Sequence, residues 1–245
     1  MKSNKYYSLL TKSMITVLAF SSISAQAAIA LDRTRIIFDG GQESISLTIN
    51  NQNKQLPYLA QGWLEDENGN KISSPLVVLP PLQRLEPGKQ SQVKVQSLPV
   101  INQLPQDRET LYYFNLREIP PKSSKPNTLQ IALQTRIKLF YRPAAIKMDK
   151  NKPEPQQQLT LEKKGNNYVV NNPTGYYVTI IEALNSDGSN IKNFEPVMVA
   201  PKSKKPLGAT IKGNPAITYI NDFGGHPTLN FECSTSVCTV VQDSN

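Results

Sequence analysis

The chain has 245 residues, 19 prolines and two cysteines, and its 27 basic side chains outnumber its 19 acidic ones. The many prolines leave few windows long enough for an amphipathic helix, so the composition disfavours a helical fold. A formal net charge of +8 suits a nucleic acid, an anionic lipid or an acidic partner. Because the cations are scattered along the chain, the charge alone does not select among these partners.

The first 27 residues have the pattern of a secretory signal peptide. Three lysines precede an apolar run over residues 14–20, and Ala25 and Ala27 supply the small residues that a signal peptidase recognises. This run is far shorter than the roughly 20 residues that cross a bilayer. We expect cleavage after Ala27 and a soluble, exported product that does not insert into a membrane. Export also argues against a nucleic-acid partner.

Strand patterns dominate the following 120 residues. Apolar and polar side chains alternate, or aromatic side chains cluster, in five segments: 31–38, 44–50, 58–64, 92–96 and 111–116. Turn residues such as Asn68 and Gly69 separate these segments. Short strands at a spacing of roughly ten residues predict an antiparallel sandwich.

The longest alternating pattern is LQIALQTRIKLFYRP, residues 129–143. Leu129, Ile131 and Leu133 alternate with small or polar residues, and a cluster of cations follows. A period of two over this length predicts one long β-strand. Its apolar face either packs on a core or is offered to another protein, and the pattern does not decide between the two.

The pattern breaks at residues 147–158, which are polar, contain prolines and lack periodicity. We interpret them as a linker or a boundary loop, with one domain over residues 28–147 and a second over 148–245. Strand patterns then resume in five places: 168–170, 176–184, 196–200, 217–220 and the stretch around the cysteines. The lysine-rich run at 201–206 is interpreted as a solvated loop. Each half has the usual size of one immunoglobulin-like sandwich.

The sequence contains little that could catalyse a reaction. Cys233 and Cys238 predict a local disulfide in an oxidising compartment, because a metal site would need more ligands than these two and His226. His226 lies between Gly225 and Pro227, where a loop residue is expected, and no nucleotide-binding or nucleophile motif occurs. We expect a binding protein that is not an enzyme and needs no cofactor or metal. An exported hydrolase is one rival; it would need a base beyond His226, and turnover lost on mutation of His226 would favour it.

The stretch LPQDRETLYYFNLREIPP, residues 104–121, resembles the signature of the periplasmic pilus-assembly chaperones of Gram-negative bacteria. ALDRTRIIFDG, QRLEPG, LQIALQTRIKLFYRPAAI and YINDFGG add to the resemblance, which covers the whole mature chain. It implies an all-β fold of two immunoglobulin-like β-sandwich domains in a boomerang arrangement with an interdomain cleft. It further implies a chaperone that caps pilus subunits by donor-strand complementation and delivers them to an outer-membrane usher.

The resemblance also assigns roles to eight residues. It implies that Arg35 and Lys138 bind the C-terminal carboxylate of the subunit. It implies that the donor-strand residues, Leu129, Ile131 and Leu133, fill the groove of the subunit. It implies an interdomain ion network of Glu109, Arg142 and Asp222. Strict alternation would put Lys138 on the opposite face from Leu133, so the carboxylate site rests on the resemblance alone.

A structural fimbrial subunit or adhesin is the second rival, since such a protein is also exported, immunoglobulin-like and disulfide-bonded. It would need a donor extension ahead of its first strand, whereas the pattern that starts at Leu31 begins almost at the predicted mature start. An uncapped apolar strand is an association hazard. We therefore also expect that the free chaperone can cap itself by forming a homodimer.

Overall fold

The computed structural model describes residues 27–149, 153–192 and 194–241, so the predicted signal peptide up to residue 26 lies outside the described residues. Within these ranges the chain forms strands and short 3₁₀ turns and no α-helix. The strands, numbered in chain order, are β1 Ile29–Leu31, β2 Arg35–Asp39, β3 Ser44–Asn51, β4 Tyr58–Glu65, β5 Lys71–Ile72, β6 Leu76–Leu79, β7 Leu82–Leu85, β8 Gln90–Ser97, β9 Thr110–Ile119, β10 Gln134–Arg142, β11 Thr160–Lys164, β12 Asn167–Asn172, β13 Val178–Leu184, β14 Val197–Val199, β15 Ser203–Thr210, β16 Ala216–Ile220, β17 Thr228–Cys233 and β18 Val237–Val240. The prediction of an all-β fold is confirmed.

The first domain is a sandwich of two sheets. One sheet has the order β1-β3-β8-β6, and the other has the order β2-β10-β9-β4-β5, with β7 also paired to β4. Alternate side chains of both sheets point inward and form one apolar core that includes Leu47, Phe114 and Leu139. All pairs in this domain are antiparallel except β2 and β10, which run parallel. The predicted antiparallel sandwich is therefore confirmed apart from this parallel pair.

The single strand that the alternation predicted over residues 31–38 is two strands. β1 pairs with β3 in one sheet, whereas β2 pairs with β10 in the other. Between them the Asp32 carboxylate accepts the backbone N–H of Thr48 at 3.1 Å and two hydrogen bonds from Arg33. These side-chain hydrogen bonds stabilise the segment where the chain crosses between sheets, and a period-two pattern contains no signal for such a crossing.

The strand predicted over residues 129–143 is also shorter than expected, since β10 begins only at Gln134. Its antiparallel partner β9 ends at Ile119, and the next two residues are prolines, which have no backbone N–H to donate. The last backbone hydrogen bond on this side runs from Glu118 N–H to the Leu133 carbonyl at 3.0 Å. Residues 129–133 therefore extend beyond the sheet.

The second domain has its own core. Its strands follow one hydrogen-bonded path, β14-β13-β16-β17-β18-β11-β12-β15, and buried side chains along this path pack together, among them Leu161, Val170 and Ile180. Two separate cores confirm the prediction of two β domains. The 3₁₀ turns Ala144–Ile146 and Pro155–Gln158 lie between β10 and β11. The domain boundary at residue 147 falls in this segment and stays a prediction.

Two features of the second domain were predicted with different success. Cys233 and Cys238 form a disulfide between β17 and β18, as predicted. The lysine-rich run is not a loop, because β15 begins at Ser203 and pairs with β12. Pro206 is tolerated there because β15 lies at the end of the strand path, where one row of backbone groups needs no partner.

Candidate functional site: the interdomain cleft

Arg35 and Lys138 are brought together by the one parallel strand pair. Arg35 is the first residue of β2 and lies directly opposite Lys138 of β10, so both side chains project from the same face of the sheet. The Arg35 guanidinium donates to the Ile220 carbonyl at 3.2 Å, and Lys138 Nζ donates to Thr179 Oγ1 at 3.3 Å. Both acceptors belong to the second domain. The cation pair therefore lies where the two domains meet.

This cation pair is short of negative charge. In the described part of the chain neither Arg35 nor Lys138 forms a salt bridge, and the buried Nε of Arg35 has no hydrogen-bond partner. Burial lowers the pKa of Lys138, and the neighbouring Arg35 charge lowers it further. Burial likewise lowers the pKa of Arg35, although Asp222 and Glu109 oppose this shift. Two half-buried cations at opposed positions of neighbouring strands favour an anionic ligand.

A second group of charges links the domains behind this pair. Arg142 Nε donates to Glu109 Oε1 at 2.9 Å, and its two Nη atoms donate to the Asp222 carboxylate at 2.7 and 3.0 Å. Glu109 Oε2 accepts the backbone N–H of Tyr177 at 2.7 Å. The structure thus brings together all three residues of the expected ion network, two from the first domain and one from the second.

Electrostatics within this network differ from those of the cation pair. Burial lowers the pKa of Arg142, but hydrogen bonds and charge from Asp222 and Glu109 outweigh burial and hold that pKa above its ordinary value. Burial raises the pKa of the Glu109 carboxyl, and the Arg142 charge offsets this only in part. Arg142 therefore stays protonated and is bound by two carboxylates. Among the described residues, neither Arg35 nor Lys138 has a carboxylate partner.

The backbones of the domains touch beside this network. Glu109 N–H donates to the Gly175 carbonyl at 2.8 Å. A Cβ built on Gly175 would lie 2.9 Å from the Asp107 carbonyl oxygen, closer than real Cβ atoms approach. A side chain at this position would push the domains apart. Neither contact was predicted from the sequence, because nothing in local spacing links Gly175 or Tyr177 to Glu109.

The donor-strand residues do not pack on the core of the first domain. Leu129, Ile131 and Leu133 are 85, 64 and 40 % exposed. β2 pairs with β10 only from Lys138 onward, so among the described residues no strand covers that edge of β10 from Gln134 to Ile137. Exposed alternating side chains next to a free strand edge form a template for another strand. This excludes the simpler interpretation, in which the apolar face packs on the core.

The cleft contains a cavity of about 520 Å³. Its lining consists of Asp32, Arg33, Thr34, Arg35, Ile37, Asp222 and Phe223. Lys138 is not part of this lining, although it contacts the same interdomain surface through Thr179. A larger hollow of about 1030 Å³ lies on the linker side and contains neither cation of the pair. The smaller cavity is therefore the one that contains Arg35, whose Nε has no hydrogen-bond partner.

Other kinds of site find little support in residues 27–149, 153–192 and 194–241. These residues contain no group of three or more histidine, cysteine, aspartate or glutamate side chains placed to hold a metal ion. They also contain no helix that is both apolar and long enough to cross a membrane. His226 lies at the surface, outside the cleft. The arrangement can bind an extended chain and a carboxylate.

Comparisons with known proteins agree with this geometry. The family model described as the pili and flagellar-assembly chaperone, PapD N-terminal domain, matches residues 28–147, and the model for the C-terminal domain of the pili assembly chaperone PapD matches residues 154–231. The chain is 51 % identical over 232 residues to the chaperone protein PapD of Escherichia coli, covering 94 % of this chain and 97 % of the relative. It is 50 % identical over 230 residues to the probable fimbrial chaperone YfcS of Escherichia coli K12, covering 94 % and 92 %.

A solved structure gives the same result. The Salmonella enterica SafA pilin in complex with the SafB chaperone contains a chain that superposes with a TM-score of 0.70 at 26 % sequence identity, covering 86 % of this chain and 98 % of that one. Both curated relatives are named as chaperones, so the rival interpretation as a structural subunit has no support. With family models matching both halves and two relatives near 50 % identity, the chain belongs to the PapD family of pili-assembly chaperones.

Proposed function

We propose that this protein is a periplasmic chaperone for pilus subunits, which it binds, stabilises and caps by donating a strand. The observation that carries this proposal is the exposed donor-strand segment, Leu129 to Leu133, which leads directly into a half-buried cation pair without an anion. Membership of the PapD family supports it. So does the relative SafB, which was solved in complex with a pilin.

Strand donation follows from the exposed edge. A pilus subunit that lacks a strand of its own sandwich exposes backbone groups and an apolar groove, and such an edge aggregates unless it is covered. A donated strand supplies the missing backbone hydrogen bonds, while alternate side chains fill the groove. Leu129, Ile131 and Leu133 have the exposure and the period of two that this role requires.

The cation pair supplies the anchor. A chain terminus carries a carboxylate, which arginine and lysine bind through charge-assisted hydrogen bonds. A carboxylate between Arg35 and Lys138 would provide the missing negative charge and a partner for the buried Arg35 Nε. An anchor at one end also fixes the register of the strand pair, and a slip of one residue would turn every side chain to the wrong face.

The ion network gives the cleft its geometry in this proposal. Arg142 lies four residues beyond Lys138 on the same strand and holds Asp222 of the second domain. A network of this kind sets an arrangement more than it adds stability, because buried ion pairs often offset little more than their desolvation. Its role is to hold Thr179 and Ile220 against the cation pair.

The remaining parts of the proposal concern location and partners. The N-terminal signal-peptide pattern supports export to the periplasm, and family membership supports delivery of subunits to an outer-membrane usher. The exposed donor-strand segment supports self-capping of the free chaperone as a homodimer. The domain boundaries stay as the sequence predicted them, at residues 28–147 and 148–245.

A pull-down from the periplasm of the native host tests this function. The tagged wild type should recover small immunoglobulin-like subunits, identified by mass spectrometry, and the double variant Arg35→Ala, Lys138→Ala should lose them. Lys163→Ala, Lys164→Ala is the matched control, since it removes the same charge from exposed positions outside the cleft. Equal recovery by the cleft variant would contradict the proposed binding of the subunit carboxylate by Arg35 and Lys138. No recovery by the wild type while pili are being made would sink the chaperone function.

A further inference from the structure

Phe223 is an apolar side chain that neither the fold nor the proposed anchor uses. It follows β16 in the NDFGG turn and is 96 % exposed, more than any other large apolar side chain in the described ranges. A single exposed apolar residue needs no explanation by itself. Its surroundings are what make Phe223 different.

Hydrogen bonds fix the backbone of the turn at Phe223. Asn221 Oδ1 accepts the backbone N–H of Phe223 at 3.1 Å and that of Gly225 at 2.8 Å. Gly224 adopts a φ of +82°, a conformation that residues with a side chain rarely adopt. Its backbone N–H donates to the Asn221 carbonyl at 3.1 Å. On the other side, Asp222 is held by Arg142. The backbone is therefore ordered before any ligand arrives, and this lowers the entropic cost of a contact.

The turn also lies against the anchor. Phe223 lies between the two hollows: it lines the 520 Å³ cavity together with Arg35, and it also lines the larger hollow on the linker side. A Cβ built on Gly224 would lie 3.3 Å from Thr34 Oγ1, so the turn touches the first domain one residue before Arg35. An exposed aromatic residue thus lines the cavity that also contains the unsatisfied cation.

The charge in this cavity indicates what occupies it. Arg35 attracts a carboxylate, and a chain whose terminal carboxylate lies there must place its last side chains within the same cavity. Successive side chains of an extended chain point to opposite sides, so only one of the last two can face Phe223. The neighbouring Asp222 carboxylate is already bound by Arg142, which leaves the ring as an apolar surface for an apolar side chain.

We propose that Phe223 is a specificity-determining residue that packs against an apolar side chain among the last two residues of the bound subunit. This inference rests on the proposed function and deepens it. The cleft then recognises two features of a chain terminus, the carboxylate through Arg35 and Lys138 and the terminal side chain through Phe223.

Photo-cross-linking identifies the occupant directly. The variant Phe223→p-benzoylphenylalanine, with Arg35 and Lys138 intact, is expressed in the native host, irradiated, and digested for mass spectrometry. We expect cross-links to the last few residues of a pilus subunit. Cross-links confined to a second copy of this chain, to the usher or to another part of the subunit would overturn the inference, as would recovery of subunit without any cross-link.

Substitution measures the contribution of the ring. Burying a phenylalanine corresponds to roughly a tenfold or larger change in apparent affinity, so Phe223→Ala should recover about tenfold less subunit. Phe223→Leu, which keeps an apolar surface, should retain most of the recovery. The unfolding midpoint of both variants should match the wild type, because the ring is exposed.

The outcomes separate this inference from the proposed function. Normal recovery by Phe223→Ala, beside loss by Arg35→Ala, Lys138→Ala, would overturn the inference alone. Equal loss by Phe223→Leu and Phe223→Ala would overturn the apolar contact. If the wild type recovers no subunit, the proposed function and the inference fall together.

Discussion

Two cations of β10, Lys138 and Arg142, lie four residues apart on the same strand and have opposite surroundings. Arg142, at the end of β10, is surrounded by the carboxylates of Glu109 and Asp222. Lys138 has a second cation, Arg35, beside it and only a hydroxyl as its hydrogen-bond partner in the described chain. Lys138 is partly buried and Arg142 is buried. The difference shows that two cations on one strand can have opposite surroundings, because the fold places carboxylates beside Arg142 and a second cation beside Lys138.

The physical consequence is that the two sets should respond differently to mutation. Removing one member of a satisfied buried network leaves an uncompensated charge, which is strongly destabilising. Removing a member of an unsatisfied pair relieves desolvation and repulsion instead. Unfolding and titration of the free protein, without the subunit, can test this contrast.

The largest effect is expected for Arg142→Ala. The truncation leaves Glu109 buried, with the Tyr177 N–H as its remaining hydrogen-bond donor. We expect the free energy of unfolding to fall by about 3 kcal/mol or more, measured by urea unfolding followed by circular dichroism. Arg84→Ala is the control: it breaks an exposed ion pair with Glu86, which should cost at most about 1 kcal/mol. Equal losses of unfolding free energy in the two variants would contradict the structural role of the buried Arg142 network.

A smaller effect of the opposite sign is expected for Lys138→Met. Methionine keeps the length of the side chain and removes a half-buried charge that faces Arg35. The free energy of unfolding should stay unchanged or rise by at most about 1 kcal/mol, because replacing a poorly compensated buried charge with an apolar group is neutral or stabilising. Urea unfolding measures it. A loss as large as that of Arg142→Ala would show that Lys138 is a structural residue.

The smallest effect concerns the titration of Lys138. Burial and Arg35 hold its pKa below the ordinary 10.5, so Lys138 should lose its proton at a lower pH than exposed lysines do. Because its charged form is disfavoured in the folded state, Lys138 reduces stability fully below that lowered pKa, and the penalty shrinks as pH rises from the lowered pKa to the ordinary value of 10.5, above which it is gone. NMR titration of ¹³C-labelled lysine side chains measures the pKa directly.

Arg35→Ala provides the matched variant for this titration. Removing the neighbouring charge should raise the pKa of Lys138 while burial still keeps it below 10.5. A pKa that does not move in Arg35→Ala would mean that the two cations do not interact. A pKa at the ordinary lysine value in the wild type would contradict the burial of Lys138.

Much of the fold was predictable from the sequence because strand periodicity is local. The alternating segments at 44–50 and 92–96 became β3 and β8, and the cysteine spacing predicted the disulfide that closes β17 on β18. Two of the errors have one cause. The patterns at 31–38 and 129–143 are interrupted where the chain changes sheets or outruns its partner strand, and pairing is not encoded in the period of a single strand.

The site was less predictable than the fold. The resemblance supplied Arg35 and Lys138, because alternation alone gave no reason to place Lys138 at a binding site. Contacts from the second domain were missed, namely the Thr179 hydroxyl, the Ile220 carbonyl and the Phe223 ring. Each is separated from its partner by dozens of residues or more, and a single sequence carries no signal at that distance. The only local signal near Phe223 was the pair of glycines that follows it, which is typical of a turn.

The sequence by itself determined the all-β class, the family and the alternation of Leu129, Ile131 and Leu133, since these depend on residue types at short spacing. The tertiary structure alone decided that this alternation stays exposed, that Arg142 is satisfied, and that Arg35 and Lys138 are not. The reason is physical. The state of a buried charge depends on which carboxylates the fold brings within a few ångströms of it, and those of Arg142 lie 33 and 80 residues away along the chain.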